Sequence, residues 1–191
     1  MVACVVTTFA VQLEVLSIMQ LYLNYYAVWY NHEVWRLLTN FLFFDYFGIN
    51  FIFHMYFVIR HSRMLEETSF HGKMAEYLWM WLFSGSLLLG IAFLCTYYRL
   101  TSNIMFLAPS LAFVMVYVWS KRNRHMHMSF LYLFTFSAPY LPWVILGFGW
   151  VIGQNPVHDL LGIGVGHIYY FLEDVLPAKY GVRPLRTPGI L

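Results

Sequence analysis

Apolar windows free of charge, separated by short polar stretches, organise this chain. Val2–Leu13 is the first window, with Glu14 just beyond it, and Tyr46–Ile59 is the second. Tyr77–Tyr98 and Leu100–Ser120 are the third and fourth. From His125 to His158 there is no Asp, Glu, Lys or Arg. That stretch is too long for one span, and Pro139 and Pro142 divide it. The division predicts a surface segment at Met126–Phe136 and a fifth span near Tyr140–Gly153. Leu160–Leu172 is the sixth window. A spanning helix takes about 20 apolar residues, and backbone facing lipid must bond internally, so each window reads as helix. The pattern predicts an all-α membrane protein, a bundle of six transmembrane helices. The segment Leu21–Asp45 differs: Glu33, Arg36 and Asp45 interrupt it, and it is rich in Tyr, Trp and Phe. Such rings favour the headgroup level, which predicts an interfacial first loop with at least one amphipathic helix.

Composition supports lipid as the solvent. Of the 191 residues 61% are hydrophobic and only 10% charged, whereas soluble domains carry about 25% charged residues. A formal charge of +2 points to no nucleic-acid partner. Cys4 and Cys95 lie in apolar stretches outside any metal or redox pattern and read as small buried hydrophobes. No metal site and no cofactor is expected; His125 and His127 read as a solvated surface pair. The opening residues lack a basic region of signal-peptide type, and their abrupt apolar start reads as the shortened form of a longer N-terminal segment.

The placement of charge carries more than its sum. Arg60, Arg63 and Lys73 follow the second window, Lys121, Arg122 and Arg124 follow the fourth, and Lys179, Arg183 and Arg186 follow the sixth. With six spans these nine of the 11 basic residues share one side, leaving Arg36 and Arg99 on the other. Basic loops stay cytosolic, so both termini are expected in the cytosol.

Several segments then carry a resemblance. Val34–Phe44 reads VWRLLTNFLFF, Arg63–Glu67 reads RMLEE and Ser69–Lys73 reads SFHGK. Val116–Ser120 is VYVWS, Tyr140–Val144 is YLPWV, and Asp159–Phe171 is DLLGIGVGHIYYF. Across its membrane region the chain resembles the derlins, rhomboid-related proteins of endoplasmic-reticulum-associated degradation. It is more similar to the second and third animal derlins and to plant derlins than to the first. The resemblance implies a rhomboid-like bundle in the endoplasmic reticulum membrane that helps move misfolded proteins to the cytosol. It implies as partners misfolded clients, a membrane ubiquitin ligase complex and the valosin-containing AAA ATPase. Homo-oligomers, or hetero-oligomers with other derlins, are compatible with it. The expected division is a membrane domain over 1–176 and a short cytosolic tail over 177–191. That tail carries no ATPase-recruiting motif of the kind many derlins have.

Rhomboid proteases attack a peptide carbonyl with a membrane-buried Ser activated by a His. Against their G-x-S-G pattern the nucleophile position falls on Ala108, and Ser110 lies two residues on, roughly opposite on a helix. Against H-x-x-G-x-x-x-G the base position falls on Asp159, with Gly162 and Gly166 supplying the glycines. The H-x-x-x-N pair of the second span reads Asn50 and His54, identities exchanged. The resemblance thus implies a pseudoprotease without catalytic residues.

What remains is a set of non-catalytic candidates. Gly162 and Gly166 form small-x-x-x-small, which lets helix backbones approach closely, and Gly164 between them offers a second narrow face. Trp35 and Arg36 match the WR motif of the first loop. They read either as shaping substrate entry or as an interfacial anchor alone. Asn50, His54, Asp159 and His167 either line a polar groove or bond between helices, and His158 with Asp159 fits the lumenal edge equally. Glu14 either joins such a groove or snorkels. Arg63 and Glu67 form an i,i+4 pair at a helix end. The 14 residues of the second window rise about 21 Å against a hydrocarbon core of about 30 Å. Short spans imply local bilayer thinning. The functional expectation is a retrotranslocation component that thins the membrane and offers a polar lumenal groove. A client-recruiting scaffold is the alternative, and a rhomboid-type protease a distant third.

Overall fold

The computed structural model describes residues 2–70, 72–99, 104–130, 134–151, 153–182 and 184–185, with backbone alone at 49, 50, 53, 57, 130 and 134. Asn50 as a side chain, the start of the fourth window at 100–103, and Arg183 and Arg186 of the tail lie outside that description. The chain is mostly helical. Helix α1 (Val2–Gln12) leads into three short helices, α2 (Ile18–Leu21), α3 (Tyr25–Tyr30) and α4 (Arg36–Thr39). Long helices α5 (Ile49–Ser69) and α6 (Met74–Tyr97) follow, then α7 (Ala108–Arg122). A hairpin of β1 (His127–Phe130) and β2 (Phe134–Ser137) leads through a 3₁₀ turn at Ala138–Tyr140 into α8 (Leu141–Val151). Helix α9 (Val157–Tyr170) continues through a π turn (Phe171–Val175) into α10 (Leu176–Tyr180), which Gly181 ends at φ 68°. Among the described residues only α6 is both long and apolar enough to cross a bilayer on its own; α1 and 138–151 are apolar but shorter.

Helix α7 forms the axis. Every residue from Ser110 to Ser120 is buried, as befits a helix apolar around its whole circumference. Pro109 opens it, where a missing N–H costs nothing, and Lys121 with Arg122 close it where the helix dipole favours cations. Around it, Leu65 of α5, Met80 and Leu88 of α6, and Val165 with Tyr169 of α9 are sealed into the same core.

Three expectations change. The chain is not all-α: the Met126–Phe136 region holds an antiparallel hairpin pairing His127 with Ser137, Met128 with Phe136 and Ser129 with Thr135. Its alternation explains the strands, since Met128 and Phe136 pack on the core while His127, Ser129 and Thr135 are exposed. The second window is the apolar part of a longer helix. Helix α5 runs 21 residues, past Arg60, Arg63, Glu66 and Glu67, because charged side chains do not end a hydrogen-bonded helix. Gly164 offers no packing face: a Cβ there would meet nothing within 4 Å. The first loop holds three helices, two of them capped by side chains, with Ser17 accepting from the Met19 N–H and Asn24 from that of Ala27.

Candidate functional site

Helix α9 lies on α7 as closely as backbones allow. A Cβ on Gly162 would sit 2.4 Å from the Cβ of Phe113 and 2.5 Å from the carbonyl oxygen of Ser110. One on Gly166 would sit 2.9 Å from the Cβ of Tyr117. Both glycines face α7, one turn apart, and the seam they form fixes everything α9 carries. At its basic end Arg122 of α7 donates to both carboxylate oxygens of Asp174 at 3.1 Å, and its guanidinium lies 4.6 Å over the Phe70 ring. Asp174 sits in the π turn, so this clasp holds the continuation of α9 to the ends of α7 and α5.

The opposite end of α7 is held by the first loop. Arg36 is buried, bonds Glu33, donates to the carbonyls of Met19 at 2.6 Å and Tyr22 at 3.1 Å, and lies 5.2 Å over the Tyr22 ring. One guanidinium thus ties α4 to the end of α2 and to the turn before α4, satisfying the partners an arginine needs away from water. Asn40, fully buried, donates to the carbonyls of Arg36 and Leu37, while its own carbonyl accepts from the Leu107 N–H at 3.2 Å. The Leu23 N–H donates to Met105 at 2.9 Å. Tyr25 reaches further, donating to the Leu89 carbonyl of α6 at 2.6 Å. Burial, with a smaller push from Cys95, raises its phenol to about 12, so it stays a neutral donor. Trp35 points the other way and is 55% exposed, beside exposed Tyr26, Trp29, Tyr30 and Leu38. The two residues of the WR pair are therefore divided: Arg36 binds the loop together and Trp35 faces out.

A polar cluster sits between α5, α8 and the start of α9. Asp159 is buried. A Cβ on Gly149 of α8 would meet Gln154 Oε1 at 3.0 Å and Asp159 Oδ2 at 3.7 Å, so this glycine makes room for both polar groups. His158 carries a buried Nδ1 without a hydrogen-bond partner, and His54 of α5 lies near it. His54 also faces the Phe44 ring, 6.3 Å between centroids. His167 stands apart from this group: its Nδ1 shares a 2.7 Å hydrogen bond with the Tyr117 hydroxyl on an exposed flank of α9. Eight residues separate it from Asp159, which turns it about 80° around the helix. Sequence reading missed Gln154 and Gly149 here and Asn40 in the loop. A Gln and an Asn amid apolar runs were the available signal.

At the protease positions, Ala108 is buried at the head of α7 and offers no nucleophile. The hydroxyl of Ser110 is buried without a hydrogen-bond partner among the described residues. Glu14 is exposed beyond α1 in the left-handed region (φ 58°). His125 and His127 are exposed, and no cluster of metal-ligating side chains occurs among the described residues. Arg63 and Glu67 pair at 3.6 Å on the surface.

Comparison with known proteins places this architecture. The model of the Der1-like family matches residues 1–189. A probable derlin-2 homolog of Dictyostelium discoideum is 53% identical over 191 residues, covering 100% of this chain and 75% of that protein. Derlin-2.2 of Zea mays is 49% identical over 193 residues, covering 99% and 78%. Derlin-1.1 of the same plant is 35% identical over 185 residues, covering 97% and 74%. The likeness to derlin-2 proteins is thus the greater, and the chain belongs to the Der1-like family.

Proposed function

We propose that this chain is a component of the endoplasmic reticulum retrotranslocation machinery, passing misfolded proteins toward the cytosol for ubiquitin-proteasome degradation. Its helices α1, α5, α6, α7, α8 and α9 are read as six spans of a rhomboid-like bundle over residues 1–176. Both termini face the cytosol and 177–191 form a short tail. It is read as working without peptide cleavage, since Ala108 stands where the rhomboid nucleophile would. A ubiquitin ligase complex and the valosin-containing AAA ATPase are the partners that family membership implies, and the ATPase supplies the pulling force.

The observation carrying this reading is the combination of short helices with a buried polar cluster. At 1.5 Å per residue, the 11 residues of α1 and of α8 rise about 16 Å. Hydrocarbon is about 30 Å thick, so lipid must thin around them. Burying one unpaired peptide group costs several kcal/mol, which both a thinner barrier and polar partners reduce. His54, His158, Asp159 and Gln154 supply such partners between α5, α8 and α9. A scaffold that only recruits clients would need neither.

The test is replacement in cells lacking their own derlins. The chain is expected to restore turnover of a misfolded lumenal glycoprotein, with the deglycosylated client appearing in the cytosol when the proteasome is blocked. A client that is ubiquitinated yet stays membrane-bound would support the scaffold instead. Release of a client fragment at a fixed cleavage point would support the protease.

A further inference from the structure

Two cations at the basic end of the α7–α9 seam are held by rings instead of acids. Lys121 Nζ lies 5.4 Å over the Tyr117 ring. The Arg124 guanidinium lies 5.8 Å over the Tyr170 ring and donates to its hydroxyl. Among the described residues neither has a carboxylate within ion-pair distance; the nearby Asp174 is taken by Arg122. A ring attracts a cation through its face and leaves charge and most N–H donors available. His167, tied to the same Tyr117 hydroxyl, adds a polar group on this flank. Beside it runs an outward stripe of α9 on which Leu160, Ile168 and Phe171 are exposed, with a notch at Gly164 where even a Cβ would touch nothing.

We propose that Lys121 and Arg124, fixed by Tyr117 and Tyr170, bind the headgroup phosphate of an anionic glycerophospholipid, with an acyl chain along the Gly164 notch of α9. The occupant follows from charge. An uncompensated cation pair at the rim of a membrane bundle attracts anionic headgroups of its leaflet. A choline or ethanolamine headgroup brings its own cation, and on this flank Asp174 is already paired with Arg122. An apolar stripe adjoining the cations suits a lipid and not a soluble phosphate. The site rests on the membrane reading above and gives this family member a lipid preference which that reading does not contain.

Native mass spectrometry of the full chain, released from detergent with phosphatidylinositol or phosphatidylcholine, tests it. Retained phosphatidylinositol is expected, falling about 30-fold in the double variant Lys121→Gln, Arg124→Gln, given roughly 1 kcal/mol per basic residue. Arg63→Gln with Lys73→Gln, which removes two exposed cations elsewhere on the same side, should retain it unchanged. Inorganic phosphate in excess should not displace the lipid. Equal retention of phosphatidylcholine, or no loss in the double variant while it elutes as a folded species, overturns the site and leaves the membrane reading standing. A chain monodisperse in buffer without detergent overturns both.

Discussion

The α7–α9 seam and the α8 flank are packed in opposite ways. Along the seam two glycines bring backbones together until a single carbon would not fit. On the flank, α8 buries only Leu141, Pro142 and Gly149, while Trp143, Phe148, Trp150 and Val151 are exposed. Where lipid and protein are equally apolar, only close packing and polar bonds hold helices together. The seam has the first and the flank has little of either, so α8 is more easily displaced from α7 than α9 is. The polar cluster of His158, Asp159 and Gln154 lies under that weak element, against the strong one.

The largest effect should come from destroying the seam. Gly162→Leu forces a side chain into a gap closed by the Ser110 carbonyl and Phe113, and should cost about 3 kcal/mol or more. Loss of the monodisperse peak in detergent, or a collapsed thermal midpoint, is the readout. Next is Arg36→Ala, which strips the Met19 and Tyr22 carbonyls and Glu33 of their partner, at about 2–3 kcal/mol. Hydrogen exchange should rise across residues 18–39 while α7 and α9 stay protected; uniform exchange would merge the loop with the spine. Asp174→Asn weakens the clasp at the other end by about 1 kcal/mol, since that pair is partly exposed. A double-mutant cycle with Arg122→Gln should return that coupling. Smallest is Gly164→Ala, which should change stability by less than about 1 kcal/mol, in the stabilising direction, because alanine favours helix and nothing lies opposite. A large loss there would mean that the outward face of α9 is also packed.

Parts of this comparison were legible in residues alone. The Gly162–Gly166 spacing marks a close helix contact whatever the partner, and charge-free windows mark apolar helix. The identity of the partner, α7, was not written in that spacing. Nor was the end of α5, because Arg60 to Glu67 end the apolar run without ending the helix. The hairpin escaped notice because the absence of charge from His125 to His158 drew attention from the two-residue alternation around Met128 and Phe136. His167 could not be separated from Asp159 by composition, since both are polar groups on one apolar helix; only helix phase puts one under α8 and the other beside Tyr117. Arg36 was visible as a charge needing partners, but its main partners are backbone carbonyls, which sequence does not mark.

The claim beneath all of this is that a client passes through the membrane along the polar cluster between α5, α8 and α9. Photocrosslinking with a probe amino acid at 54, 158 or 159, against a client arrested in transit by a tightly folded tag, measures it directly. Adducts at these positions, and none from the lipid-facing position 82 of α6, are expected. Adducts confined to the loops at 20–45 and 71–73, with none at the three cluster positions, would contradict the account.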